Sequence, residues 1–253
     1  MIRPVDKCVL VAAATVAALA WPSPAVAQAV PVDHFWCYTA AGPASDASVI
    51  LRDQFEPAGQ APQTFFVRNP VRFCNPVNKT TADGTLTPIT NPASHLELDL
   101  IFGGGLEETR RVIVRNQFGR QGLTIFDPIV LGVPSAKNNE GEPDNLDHFK
   151  CYRAYGGRIR NRVVRLKDQF QEGTATVLRA SLFCNPAEKR HGTVTVPIEN
   201  PAAHLVCYQT TPVALPTPRT IVSRNQFGSK EVIATLGNLL CVPSQKLRFG
   251  PLF

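Results

Sequence analysis

Apolar positions along this chain fall in short β-branched stretches bounded by Pro, Asn or Gly, such as Arg111-Val112-Ile113-Val114, Thr193-Val194-Thr195-Val196 and Thr220-Ile221-Val222. That pattern predicts strands. No stretch after residue 27 sustains a helical period, and the 22 prolines break up any helix longer than a few turns. The strand signals keep step with a spaced motif that occurs four times: His, an apolar residue, any residue, Cys; then Asx-Gln-Phe; then Cys-x-Pro-x-x-Lys. The first copy has His34, Cys37, Asp53-Gln54-Phe55, Cys74 and Lys79, and the second has His95, Leu98, Asn116-Gln117-Phe118, Gly132 and Lys137. The third has His148, Cys151, Asp168-Gln169-Phe170, Cys184 and Lys189, and the fourth has His204, Cys207, Asn225-Gln226-Phe227, Cys241 and Lys246. A repeat of this kind constrains architecture before any other feature does.

The second copy carries Leu98 and Gly132 where the others carry cysteine. Both cysteines are missing together, as expected if the two cysteines of one copy bond each other. The copies therefore predict Cys37–Cys74, Cys151–Cys184 and Cys207–Cys241. Each bond closes a loop that adds roughly 2–4 kcal/mol by restricting the unfolded chain. A zinc site would need short Cys-x-x-Cys or His-x-x-x-His spacings, which are absent.

An oxidising compartment fits that pairing. Arg3 and Lys7 precede an apolar run from Val9 to Ala20, followed by Ala25-Val26-Ala27, which predicts a signal peptide over residues 1–27 with cleavage after Ala27. The run is too short to span a bilayer, and no later segment is expected to do so. Removal of the leader takes Cys8 with it and leaves six cysteines. The expected location is secreted or periplasmic.

Each copy is expected to give three strands, with the disulfide tying the first to the third. Asp33-His34-Phe35 and Asp147-His148-Phe149 open the odd copies, whereas Asn91-Pro92 and Asn200-Pro201 lead into the even ones. The pairing of odd with even predicts a first β domain over 28–137, a polar linker over 138–145 and a second β domain over 146–253. The predicted fold is all-β: two tandem small barrels or sandwiches of about six strands, each with an internal pseudo-twofold repeat.

The runs Asp-His-Phe-x-Cys-Tyr, Asp-Gln-Phe, Cys-Asn-Pro, Asn-Pro-x-x-His-Leu-x-Cys-Tyr, Asn-Gln-Phe-Gly and Leu-Cys-Val-Pro-Ser-x-Lys together resemble a bacterial secreted domain of unknown function. The resemblance covers nearly all of the chain after the leader, in two tandem copies, and departs at Leu98, Asp99 and Gly132. It implies a secreted bacterial protein and brings no activity with it.

His34, His95, His148 and His204 share one register, and Asp33 and Asp147 stand beside two of them. Neighbouring residues on a strand point to opposite faces, so such a pair cannot easily share a proton. Repeats also keep structural residues in every unit, whereas an enzyme seldom keeps four equivalent sites. The histidines and the Asx-Gln-Phe turns are therefore read as structural, with no catalytic residue, metal site or cofactor assigned. No nucleophile elbow, metalloprotease helix or phosphate-binding glycine loop occurs.

Charge changes the picture in one place. Residues 28–145 hold 9 basic and 13 acidic side chains, while residues 146–253 hold 15 and 6. Arg158, Arg160 and Arg162 alternate, so on one strand they project from the same face as an anion-facing stripe. Its expected partner is an anionic envelope polymer or the acidic first half of the same chain. Nucleic acid is not expected, since no aromatic residues interleave the stripe. These features predict a secreted, non-catalytic binding or structural module of the bacterial envelope. The competing reading is a secreted hydrolase-like enzyme with its site between the two domains, which would require His, Asp and Arg to converge in one deep cleft.

Overall fold

The computed structural model describes residues 32–56, 59–106 and 108–251, without the side chains of Arg160 and Asn161. The expected leader over 1–27 lies outside the described residues. The first copy contributes β1 (Phe35–Ala41), β2 (Ala47–Arg52), β3 (Gln63–Pro76) and the short β4 (Asn78–Thr81) and β5 (Leu86–Thr87). The second gives β6 (His95–Phe102), β7 (Arg110–Asn116) and β8 (Gly119–Lys137). The third gives β9 (His148–Gly156), β10 (Arg158–Lys167), β11 (Glu172–His191) and β12 (Val194–Val196). In the fourth, β13 (His204–Asn225) runs through both the first and second strand positions and is followed by β14 (Gly228–Pro251). The described residues are all-β.

All of these strands belong to one 14-stranded sheet. Within it, eight strands pair antiparallel in the order β1, β3, β6, β8, β9, β11, β13, β14, and β14 pairs with β1 again. These are the first and third strands of the four copies. Because the pairings return to their start, the ring leaves no open edge among its own members. Two six-stranded units are therefore not what forms: β8 lies against β9 where the linker was expected to divide the chain, and β1 lies against β14.

Burial explains why halves do not suffice. Along β1 the residues Phe35-Trp36-Cys37-Tyr38 are all fully buried, so both faces of the strand need cover. Phe35 and the cysteines belong to one apolar cluster inside the ring, together with Leu96, Phe149 and Leu205. Trp36, Tyr38, Tyr152 and Tyr208 belong to a second cluster on the opposite face. That outer face is covered by hairpins made from each copy's second strand and the near part of its third. Copies one and three exchange these hairpins: β2 pairs with the end of β11, and β10 pairs with β4. Copies two and four do the same, with β7 along the end of β14 and β13 against the end of β8. Each half thus supplies the outer layer of the other.

The Asx-Gln-Phe sequences sit at the hairpin tips. In the even copies the turn closes through Gly119 and Gly228, at φ of 98° and 108°, a backbone region that glycine enters without the penalty a Cβ brings.

Candidate functional site

Each Asx-Gln-Phe turn works as a clasp. The Asx oxygen accepts the N–H of the Phe two residues on, at 2.8 Å for Asp53, 2.9 Å for Asn116, 2.8 Å for Asp168 and 2.9 Å for Asn225. This local bond is the Asx-turn that the residue type favours. The rest of the side chain reaches the copy two places away. Asp53 accepts from Tyr152 Oη at 2.9 Å and Asn185 Nδ2 at 3.1 Å, and Asp168 accepts from Asn75 Nδ2 at 3.1 Å. Asn116 donates to Tyr208 Oη and Ser244 Oγ, both at 2.8 Å, and Asn225 donates to Ser135 Oγ at 3.2 Å. Odd copies therefore exchange Asp for Asn, and even copies exchange Asn for Ser.

In the first, third and fourth copies the Gln and Phe of the clasp grip the preceding copy, counted around the ring. Gln226 bonds the His148 ring at 2.7 Å, and Gln54 donates to Pro201 O at 2.7 Å and accepts from Lys246. Lys137, Lys189 and Lys246 lie 5.3, 5.4 and 5.3 Å over the rings of Phe170, Phe227 and Phe55. His95 instead meets Glu140 of the linker at 2.7 Å.

All four motif histidines are buried. Desolvation holds His34, His148 and His204 down at about 3 and His95 at about 4. Such imidazoles stay neutral at pH 7 and lie far from the range where general acid–base chemistry is efficient. His95 finds its partner in the linker and His148 in the following copy, not in their own copies as structural residues of a self-contained unit would have them. Asp33 turns away from His34 and accepts from Thr90 N at 2.9 Å, Thr90 Oγ1 at 2.8 Å and Asn91 N at 2.7 Å. Asp147 accepts from Glu199 N and Asn200 N in the equivalent place, at 2.8 and 2.9 Å. These aspartates hold the turn that leads into the next even copy.

The six predicted cysteines form the three predicted bonds, Cys37–Cys74, Cys151–Cys184 and Cys207–Cys241. In each pair the two residues face each other on adjacent ring strands, and Leu98 faces Gly132 in the same register. The sulfurs of Cys37 and Cys241 lie 3.8 Å apart, so two of the bonds pack on each other inside the ring. Arg158 and Arg162 are exposed on β10, and the ladder of β10 with β11 shifts register between them. The side chain of Arg160 lies outside the described residues.

One opening in the molecule was missed by sequence reasoning. A cavity of about 980 Å³ is walled by residues from all eight ring strands. Leu98, Val130, Leu182 and Leu239 belong both to its wall and to the apolar cluster holding the cysteines, so the sulfur layer closes it from below. Arg72, Arg153 and Arg179 line it as well. Arg72 is two residues before Cys74 and Arg153 two after Cys151. Strand periodicity places such residues on the face of the cysteines, and that was the signal that could have found them. Among the described residues no three His, Cys, Asp or Glu side chains are grouped to hold a metal ion, and no helix is long and apolar enough to cross a membrane.

Copy two departs from the others for a visible reason. Glu97 and Asp99 occupy the outer face where copy one has Trp36 and Tyr38, and Lys230 of the fourth copy meets them at 2.7 and 3.5 Å. Burial and the neighbouring Glu97 push Asp99 up to about 8. With Lys150 and Glu56, these contacts join the two halves through buried ion pairs.

No curated protein and no solved structure matches the chain. Residues 101–243 match a family model, described as a repeat of unknown function (DUF7450), which begins in the second copy and runs through the linker to the end of the fourth. The match spans more than half of the sequence, and the chain belongs to that family of repeats.

Proposed function

We propose that this protein is a non-catalytic binding module that operates outside the cytoplasm and holds a small ligand in the lumen of its strand ring. The cavity carries this reading. Its volume of about 980 Å³ lies at the upper end of the range for small-molecule sites, and its wall combines an apolar lining with a few polar groups, as such sites do. Closed rings of eight antiparallel strands leave an interior suited to one small ligand. The four histidines support a non-catalytic role, since they occupy buried, equivalent places in the scaffold and none lines the cavity. Three disulfides favour an oxidising compartment, and with the leader-like pattern over residues 1–27 they favour export.

The charge asymmetry between the halves is read mainly as a device for their contact, through Lys150 with Glu56 and Lys230 with Glu97 and Asp99. The exposed Arg158 and Arg162 remain a surface on which an anionic envelope polymer could settle.

The test of the lumen site is saturable binding of an uncharged environment-sensitive dye such as 1-aminoanthracene. One dye per chain should bind, and Val130→Trp, which places an indole into the open space, should abolish binding while the protein still unfolds cooperatively. No saturable binding, or binding indifferent to Val130→Trp, would remove the lumen from consideration.

A further inference from the structure

The wall of the lumen carries a charge that the fold does not neutralise. Arg72, Arg153 and Arg179 line it, and no Asp or Glu does. Their partners are neutral: Arg72 donates to Thr39 Oγ1, Arg179 Nε donates to Gln209 Oε1 at 3.0 Å, and Arg153 lies 5.3 Å over the Phe126 ring. Among the described residues none of the three forms an ion pair. Arg72 is the informative member. Burial pulls its guanidinium down from its ordinary value, and a partly desolvated cation is costly unless an anion offsets it.

A second observation comes from the same wall. Thr210 Oγ1 and Asn238 Oδ1 are buried without a hydrogen-bond partner, and both residues line the cavity. Buried polar atoms are nearly always satisfied, so two orphans bordering one open space mark where a bound molecule completes the bonding. Below them the wall turns apolar at Leu98, Val130, Leu182 and Leu239.

Resting on the reading of the lumen as the ligand site, we infer that its ligand is a single-tailed amphiphile with a carboxylate head, the head held by Arg72, Arg153 and Arg179 and the tail lying on the four aliphatic side chains above the disulfide layer. Arginine suits this task because its planar fork matches a carboxylate with two parallel bonds and keeps its charge at any relevant pH. Enclosure by eight strands argues against a polymer chain as the occupant of this site, and the depth of the apolar wall argues against a bare inorganic anion.

The experiment uses the full chain and two probes of equal tail length, dodecanoate and dodecanol, read by displacement of bound 1-aminoanthracene at low salt. It is repeated with Arg153→Gln/Arg179→Gln, both exposed in the native protein, after confirming an unchanged melting temperature. Dodecanoate should bind at least about 10-fold tighter than dodecanol, equivalent to about 1.4 kcal/mol. The double variant should lose that advantage and leave dodecanol unaffected. Equal affinity of the two probes for the native protein overturns the carboxylate head while leaving the lumen site standing. Dye binding that neither probe displaces overturns the amphiphile altogether. Absence of any dye binding removes the lumen reading and this inference together.

Discussion

Replacing Asp53 with Ala tests the clasps at their most connected member. Asp53 is 6 % exposed and serves three donors: Phe55 N–H in its own turn, and Tyr152 Oη and Asn185 Nδ2 in the other half of the chain. Orphaning each buried donor costs about 1–2 kcal/mol, so the gross loss is about 3–6 kcal/mol. Part of this is returned, because the native carboxylate is itself unfavourably placed: burial pushes its pKa from 3.8 up to about 6, with Glu56 adding to the rise and Lys150 opposing it. A shift of that size corresponds to about 3 kcal/mol against the ionised form. The net penalty at pH 8 is therefore about 0–3 kcal/mol. The sign of its pH dependence follows from the raised pKa. Stability from such a group is fully present below the unfolded value of 3.8 and is lost as pH rises through about 6. Going from pH 8 to pH 5 should accordingly enlarge the penalty of Asp53→Ala, by about 1 kcal/mol. Urea unfolding at both pH values measures it. A double-mutant cycle with Asn185→Val, which installs the residue found at that position in copies two and four, should give a coupling energy of about 1–2 kcal/mol. A coupling near zero, or a penalty that shrinks at pH 5, would refute the clasp as the tie between the halves.

Three further outcomes are expected. Because His148 is held at about 3, its neutral form contributes stability that is present above the unfolded pKa near 6.5 and lost as pH falls; His148→Gln should remove about one proton, or about 1.4 kcal/mol per pH unit, from the slope of stability between pH 6 and 4. An unchanged slope in urea titrations would show the imidazole to be protonated in the folded protein. Leu98→Cys/Gly132→Cys should form a fourth disulfide, detected by peptide mapping, since the two positions face each other in the register of the other three; its gain of roughly 2–4 kcal/mol will be reduced by Phe149 Cβ, 3.1 Å from where a Cβ on residue 132 would stand. Free thiols at both positions after oxidative refolding would contradict that register. Arg158→Gln/Arg162→Gln should elute from heparin at lower salt than the native protein, and identical elution would dismiss β10 as an anion-facing surface.

Strand content and disulfide pairing were legible because both leave local or repeated marks: β-branched stretches between breakers, and the joint loss of two cysteines at Leu98 and Gly132. The equivalence of the four histidines was legible for the same reason, and all four are buried. The exchange of hairpins was not, since β2 with β11 and β7 with β14 join residues more than a hundred positions apart, and such pairing has no local period. One trace of it did exist. Asp53 and Asp168 stand in copies whose partners supply Asn185 and Asn75, while Asn116 and Asn225 meet Ser244 and Ser135. The odd–even alternation that suggested two domains of neighbouring copies thus has a double origin: Asp33 and Asp147 join neighbours, and the clasps join alternates. The lumen was hidden by the repeat itself. Arg153 occupies the position that holds Thr39, Leu100 and Gln209 in the other copies, so a reading that searches for what the copies share overlooks it. Scaffold residues recur because the ring needs them four times. A single ligand needs its contacts once.

Both halves build one closed ring around one cavity, so cutting the linker should leave that ring intact. No disulfide crosses between residues 32–137 and 146–251, so a protease site placed at Gly141 leaves the halves joined only by their strand pairings and clasps. After cutting, the two fragments should co-elute at the mass of the intact chain under native conditions, retain dye binding in the lumen, and separate only in denaturant. Two fragments that part under native conditions, each still unfolding cooperatively on its own, would contradict the account.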